Sequence, residues 1–522
     1  MKRIFFIFTG LALLIITVLF IPYENLIQPA SKSSLVSQTP THETLPTPSP
    51  VLSQAEEPDL ESLNLELRNY LQNQEYSKLN KKLDELLTAS LKDVSYEDEM
   101  FKAYSAFDIE SADYEPLFNT WVEKHSNQYQ PYLARANYFY TMAWQARGGK
   151  FASETEQQQF DRMRAFFEKA ATDIKTALES NSQAYIAHEI LIGILGSQSG
   201  PNQLMREVLR AAVEIQPATY RVRLKYLHFI TPRWGGSFEQ MESFVNESLK
   251  HVNQNSKLNL LEARIYTEAA YTNYLDRKYS AAEELYNKAL SYGHRAETYL
   301  DRGKTRYKRE NYRAALEDLN KAISLNTDNA EYYYWRSQIH SKLEDYDSAV
   351  SDIALAKLLA PWDKNILSER DWLADKMIRL GYELNRSGEQ RAAIEKFTAA
   401  LSLDPNRADA YYRKAKAHIK LNKLEPALDN VKLAIEYDPH SFGYYQLLDW
   451  ILAQRKDWDQ IISYWDRYIA LRPDDDAAYV ERGGAYYHKG DMHSAVADAK
   501  TAADMGNPRG QQAYDRFKHL AD

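Results

Sequence analysis

Large apolar side chains recur along most of this chain at intervals of three and four residues. Leu60, Leu63, Leu67 and Leu71 keep that spacing, and Leu79, Leu83, Leu86 and Leu87 resume it after a polar break at Asn73-Gln74-Glu75. A helix, a turn and a second helix are expected there. The pattern continues, so residues 59–255 read as helix throughout. Within them, Gly235-Gly236 predicts a left-handed helix end, and Ser237 with Gln240 a capping box opening the next helix, with Trp234 stapling the corner. The amino terminus follows another rule. From Ile4 to Ile21 eighteen residues carry no charge, and Lys2 and Arg3 precede them. At 1.5 Å per residue such a helix is about 27 Å long, enough to span a bilayer.

That run is expected to be an uncleaved transmembrane anchor over residues 4–21, with cleavage as a secretory signal the alternative. No small-x-small site follows at the usual distance, since Gln28 stands where a small residue should precede Ala30. Positive charge on its amino side places the amino terminus in the cytoplasm and the bulk of the chain in the periplasm. Residues 22–58 hold seven of the chain's eighteen prolines among serines and threonines. Such a segment buries too little apolar surface to offset chain entropy and reads as a disordered tether reaching at most about 100 Å.

The strongest signal is a repeat. Ala296–Asn329 aligns without a gap on Ala330–Asp363: Tyr312 matches Tyr346, Ala315 matches Ala349, Leu319 matches Ile353 and Ala322 matches Ala356. The frame recurs from Ala374 with Gly381, Ala393, Ala400 and Pro405, from Ala408 with Ala415, Ala427 and Ala434, and from Asp476 with Gly483, Ala495 and Ala502. Phe442–Asp475 puts Ile461 and Tyr468 where alanines belong and is expected to splay. Ala263–Arg295 fits with one deletion, and Lys364–Leu373 lengthens a helix between units. Small residues at fixed intervals let two antiparallel helices approach closely, and the layout resembles the tetratricopeptide repeat. Seven such units are expected over residues 263–509, closed by a capping helix over 510–522. Ile186–Thr219 falls on the same frame, with Gly193 at its eighth position and Met205 and Ala212 further on.

The resemblance implies an all-α fold: an α-solenoid of helix-turn-helix hairpins, preceded by a helical, repeat-like domain. It also implies a concave groove for protein or peptide partners, lined by the first helix of each hairpin. Carried onto this chain, the lining positions are Tyr271, Tyr274, Lys304, Tyr307, Tyr334, Gln338, Tyr382, Asn385, Tyr412, Lys416, Trp450 and Tyr487. Tyrosine also serves packing in such repeats, so each ring has a structural alternative. No repeat carries Lys at its fifth position with Asn at its ninth, so a clamp for a terminal carboxylate is not visible.

Ala143-Trp144-Gln145-Ala146-Arg147-Gly148-Gly149 and Pro232-Arg233-Trp234-Gly235-Gly236-Ser237 resemble a bacterial helical family known as domain of unknown function 4034, which brings no established activity. Trp144, Arg147, Arg233 and Trp234 could close helix corners or converge on an anionic or sugar-like ligand. The second reading would make this domain the bearer of a ligand-binding or enzymatic activity, with the repeats recruiting a partner.

Composition removes other classes. A net charge of -9 gives no electrostatic reason to bind nucleic acid, and the absence of cysteine removes thiolate metal sites and disulfides. Gly303-Lys304-Thr305 lacks the glycine a phosphate loop needs five residues earlier, and Ile192 stands where the second histidine of a zinc-protease motif beginning at His188-Glu189 would be. No metal or cofactor is implied. The chain reads as a non-enzymatic, membrane-anchored scaffold for partners in the cell envelope; partner identity and oligomeric state are not encoded legibly.

Overall fold

A computed structural model describes residues 60–149 and 155–519, and the expected anchor at 4–21 and tether at 22–58 lie outside them. The described residues form helices joined by short turns, without a β-strand among them. None of these helices is long and apolar enough to cross a membrane. The chain divides into two compact units at Asp301/Arg302.

The amino-terminal unit contains α1 (Leu60–Gln72), α2 (Tyr76–Lys92), α3 (Glu97–Ser105), α4 (Glu115–Lys124), α5 (Tyr129–Arg147), α6 (Gln157–Ser180), α7 (Ile186–Ser199), α8 (Gln203–Ile215), α9 (Arg221–Phe229), α10 (Phe238–Ser248), α11 (Leu260–Leu275) and α12 (Tyr279–Leu290). Leu67 and Leu71 of the opening stripe are fully buried, as are Leu79 and Leu83. They join a core in which Phe107 packs edge-on to Phe118 at 5.9 Å and Phe118 stacks on Tyr138 at 4.9 Å. The first hairpin of the repeat series belongs to this unit, because Leu258, Leu261 and Ile265 are buried in the same core. The division therefore falls further along the chain than the break between residues 255 and 263 suggested by sequence.

The corner after α9 forms largely as expected. Gly235 takes a left-handed φ of 89°. Gly236 is required by space instead, since a Cβ there would sit 1.9 Å from the Ile230 carbonyl oxygen. Ser237 Oγ accepts from the Gln240 amide at 3.2 Å, but only this half of the predicted capping box forms. A complete one opens α6, between Glu156 and Gln159. α7 and α8 make the predicted hairpin over 186–219, with one difference. A Cβ on Gly193 would strike Tyr140 of α5 at 2.6 Å, so this glycine admits a ring from α5 and does not seat α8.

The carboxy-terminal unit runs from within α13 (Ala296–Lys308) through α14 (Tyr312–Leu325), α15 (Ala330–Lys342), α16 (Tyr346–Leu359), α17 (Lys364–Ser387), α18 (Gln390–Leu403), α19 (Ala408–Lys420), α20 (Leu424–Tyr437), α21 (Phe442–Ala453), α22 (Trp458–Leu471), α23 (Asp476–Lys489), α24 (Met492–Asp504) and α25 (Pro508–Phe517). From α14 to α25 each helix packs on the next. The repeat alanines, among them Ala315, Ala349, Ala393, Ala427 and Ala495, have no exposed surface. Gly381 shows why the position is small: a Cβ would meet Phe397 at 2.7 Å and the Ala393 carbonyl at 3.1 Å. Ser337, at the same position one unit earlier, donates to the Ala349 carbonyl at 3.0 Å and so adds no unmet polar group. In the deviant unit Ile461 and Tyr468 take the two alanine positions and are buried together with Trp465, so larger side chains occupy this seam. The ten extra residues lengthen α17 as expected.

One turn is shared by both units. Gln74, Arg277, Glu310, Glu344, Gly388, Asn422, Lys456 and Gly490 all have positive φ, and all sit at the fifteenth place of the thirty-four-residue frame counted from Leu60, Ala263 or the later starts. The residue after each donates its amide to a carbonyl five residues back, as Asp345 does to His340 at 3.0 Å and Glu389 to Leu384 at 2.8 Å. This is the Schellman closure of a helix end. It marks α1–α2 as a hairpin of the same kind. Left-handed backbone costs a non-glycine residue about 1–2 kcal/mol, partly offset by the greater freedom glycine has when unfolded. Glu344→Gly is therefore expected to stabilise the protein by about 0.5–1 kcal/mol and Gly388→Ala to destabilise it by about 1 kcal/mol, read as opposite shifts of the urea unfolding midpoint.

Candidate functional site

The predicted groove residues fall on both units: Tyr271 and Tyr274 on α11 of the amino-terminal unit, the rest on the carboxy-terminal unit. Tyr271 lies under the Arg233 guanidinium at 4.4 Å, and Tyr274 rests against Tyr279 at 5.7 Å. Both rings are engaged by their own unit.

On the carboxy-terminal unit the residues separate into three groups. In the first, Lys304 pairs with Glu331 and lies over Trp335 at 5.6 Å, and Tyr307 and Tyr334 both meet Trp335 edge-on, at 5.6 and 5.7 Å. Trp335 is the hub of this cluster, and the lining positions did not name it. Gln338 donates to Glu369, which is supplied by the extension of α17; burial raises the Glu369 carboxyl above its ordinary range. In the second group the side chains are open. Tyr382 is 44% exposed, with Arg413 at 4.9 Å and Arg386 at 5.9 Å from its ring. Asn385, one turn on, has a buried Oδ1 without a hydrogen-bond partner. Tyr412 packs on Tyr444 at 4.9 Å and carries Lys416 over its outer side at 5.1 Å, and Trp450 is 47% exposed. In the third group Tyr487 stands alone. It stacks on Phe517 of α25 at 4.6 Å with the planes 12° apart, so the closing helix covers it. Its place in the frame could not reveal this, because Phe517 lies beyond the repeats.

The four residues of the possible second site do not come together. Trp144 lies edge-on to Tyr140 and Phe167, both at 6.4 Å, and Arg147 donates to the Gly148 carbonyl at 3.0 Å. Arg233 is held by Glu268 through Nε at 2.9 and 3.0 Å and through Nη2. Trp234 packs on Phe229 at 4.9 Å and His228 at 5.6 Å. Burial and the neighbouring Arg264 push His228 down to about 3, and Arg264 Nη2 lies 3.2 Å from its Nδ1. Among the described residues no hydrogen bond, ion pair or ring contact links the Trp144–Arg147 pair to the Arg233–Trp234 pair. Each closes its own corner.

A recurring pair went unnoticed in the sequence. Arg302 with Asp318, Arg336 with Asp352 and Arg482 with Asp498 are each sixteen residues apart and joined by two or more hydrogen bonds. All three carboxylates are buried, and Arg336 and Arg482 also reach back to Asn320 and Asp466 of the preceding hairpin. Each arginine ties the two helices of its own hairpin, and Arg336 and Arg482 also tie that hairpin to the one before, so these guanidinium groups are engaged within the protein.

Comparison with known proteins fits this division. Residues 64–206 and 198–266 match the family described as "Domain of unknown function (DUF4034)". Families described as TPR repeat or tetratricopeptide repeat match residues 303–343, 330–361, 385–451 and 451–509. The carboxy-terminal unit carries tetratricopeptide repeats. The human tetratricopeptide repeat protein 33 is 34% identical over 68 residues, 13% of this chain, which thus spans only 26% of that protein. Similar solved structures include MamA protein (24% identity, 34% of this chain and 92% of that one, TM-score 0.23). They also include YrrB, titled a TPR protein with an unusual peptide-binding site (23%, 40% and 96%, TM-score 0.22), and a TPR repeats protein from Bacteroides fragilis (16%, 37% and 98%, TM-score 0.30).

In the deviant repeat, Asp449 accepts from Trp465 Nε1 at 2.9 Å, and burial pushes its carboxyl up to about 6. A carboxyl whose folded pKa is raised contributes stability below its unfolded pKa and loses it as pH rises through the folded one. Stability of the tetratricopeptide unit is thus expected to fall between about pH 4 and 6 from this residue. Asp449→Asn, which keeps an acceptor for Trp465, should flatten that fall and raise the urea midpoint at pH 8 relative to the parent.

Proposed function

We propose that this protein is a membrane-anchored scaffold without catalytic activity, holding an extended peptide or helix of an envelope partner along the open sector of its tetratricopeptide repeats. The carrying observation is the row Tyr382, Asn385, Tyr412, Lys416 and Trp450, where half-exposed rings stand beside a buried amide oxygen with no partner. Ring faces offer apolar area at small rotamer cost, and a carboxamide fixes a peptide backbone. Arg386, Arg413 and Lys416 around these rings favour a ligand segment that is not itself basic.

The membrane part of the proposal rests on the uncharged run from Ile4 to Ile21 with Lys2 and Arg3 before it, an arrangement that puts the repeats in the periplasm. The proline-rich stretch after it gives the repeats reach. The groups around Arg147 and Arg233 are spent on their own corners, which leaves the repeat face as the better-equipped surface.

Photo-crosslinking in intact cells tests this. Benzoylphenylalanine placed at Tyr382 or Trp450 should yield an adduct of the same mass, absent when the probe stands at exposed Asp429 and lost on adding Tyr412→Asp. Adducts formed equally at Asp429, or unaffected by Tyr412→Asp, would contradict a groove.

A further inference from the structure

The carboxy-terminal end of α16 presents an apolar face to solvent. Leu355, Leu358 and Leu359 share one side of the helix and Trp362 follows in the turn after it; they are 44, 77, 42 and 87% exposed. The turn is fixed at both ends. The Ala360 amide donates to the Ala356 carbonyl at 2.9 Å, and Asp363 caps α17 by accepting from the Asn365 and Ile366 amides at 2.8 and 3.1 Å.

The repeat does not demand this face. The preceding unit puts Lys321, Ser324 and Asp328 where Leu355, Leu358 and Trp362 stand, and the following unit puts Ala399, Ser402 and Asn406 there. Hairpins on either side stack with those smaller or polar residues in place. The face also belongs to a second helix, whereas the groove positions belong to first helices. Its charge is unlike that of the chain: between Asp352 and Asp363 there is Lys357 and no acid, and Lys364 follows, against a net charge of -9 for the whole. Of the two flanking carboxylates, Asp352 is held by Arg336 and Asp363 by the amides it caps.

The four side chains offer on the order of 500 Å² of apolar surface, short of the roughly 800 Å² that each partner of a stable protein pair buries. Leucines with a tryptophan beside them and lysines at the edge suit the boundary of a bilayer instead. There aliphatic side chains enter the acyl region, an indole sits at headgroup level and ammonium groups meet anionic headgroups. A bilayer is also within reach, because the fifty-nine residues before Leu60 include the uncharged run Ile4–Ile21 and a proline-rich stretch spanning at most about 100 Å.

We infer, resting on the anchor proposed above, that the end of α16 and the turn into α17 dip into the surface of the same bilayer and hold the tetratricopeptide unit against it in one orientation. A flexible tether limits distance and leaves orientation free. A weak second contact is sufficient, because the anchor already makes it intramolecular.

The chain has no cysteine, so a single one can be introduced for labelling. Full-length protein with Ala354→Cys, an exposed position beside the leucines, is labelled with nitrobenzoxadiazole and reconstituted into vesicles of phosphatidylethanolamine and phosphatidylglycerol, with or without brominated acyl chains. The expected result is blue-shifted emission that loses about half its intensity or more to the brominated lipid. Adding Leu358→Asp and Trp362→Asp should abolish both effects. A label at Glu344→Cys, in the exposed turn at the other end of α16 and about 20 Å away, should show neither. Flotation of the same vesicles reports the anchor separately. Protein that floats with an unquenched Ala354→Cys label overturns this inference and leaves the anchor standing, whereas flotation lost on adding Leu358→Asp and Trp362→Asp supports the patch and contradicts the anchor. Protein that does not float contradicts both. A label screened from aqueous iodide yet untouched by brominated lipid would mean that protein covers the face, either a second copy or another segment of this chain, and would also overturn the inference.

Discussion

The close approach of two helices within each repeat hairpin is the constraint from which the rest of the carboxy-terminal unit follows. At Gly381 a single added carbon would touch both a ring and a backbone carbonyl of the facing helix, and the alanines opposite have no exposed surface. With so little room between the helices, large side chains are directed to the other faces of each hairpin. There they either pack on the next hairpin or stand open as Tyr382 and Trp450 do. The open sector is thus a consequence of the tight seam.

Polar ties add register to that packing. Each buried Asp of the Arg302, Arg336 and Arg482 pairs is fully engaged by its guanidinium, and two of these arginines also bond the preceding hairpin. Burying such a pair yields little net stability, but breaking one by removing a partner costs about 3–5 kcal/mol, so the pairs penalise misaligned stacking more than they strengthen correct stacking. The middle repeats do without them. Leu380 with Lys396 and Lys414 with Asn430 occupy the corresponding places, and in the next unit Trp465 bonds Asp449 across the seam. The most exposed part of the predicted groove falls across these untied hairpins.

Much of this was legible in the sequence because the repeat is a matter of spacing. Alanines at fixed intervals, Tyr312 and Tyr346 opening second helices, and the lengthened α17 can be read from one dimension. What stayed hidden depends on the third. The helix, turn and helix of α1–α2 were expected, but their place in the repeat frame was not, because Leu67, Leu79 and Leu86 stand where later units place small residues, and only the left-handed Gln74 reveals the shared turn. The Arg–Asp pairs join positions sixteen apart that no local rule connects. Gly193 fits the frame, yet admits Tyr140 from α5. Tyr487 holds a lining position, yet lies under Phe517. Fold was written in periodicity, whereas availability of each side chain was decided by its neighbours.

The most direct test of the central claim is amide hydrogen exchange after Ala393→Phe, which forces a ring into the seam between α17 and α18. If close approach at the small residues holds the repeats, exchange should quicken across residues 364–403 and in the adjoining hairpins, while residues 60–290 keep their protection. Unchanged protection over 364–403 would show that the seam tolerates a large side chain, and the account of the groove built on it would be wrong.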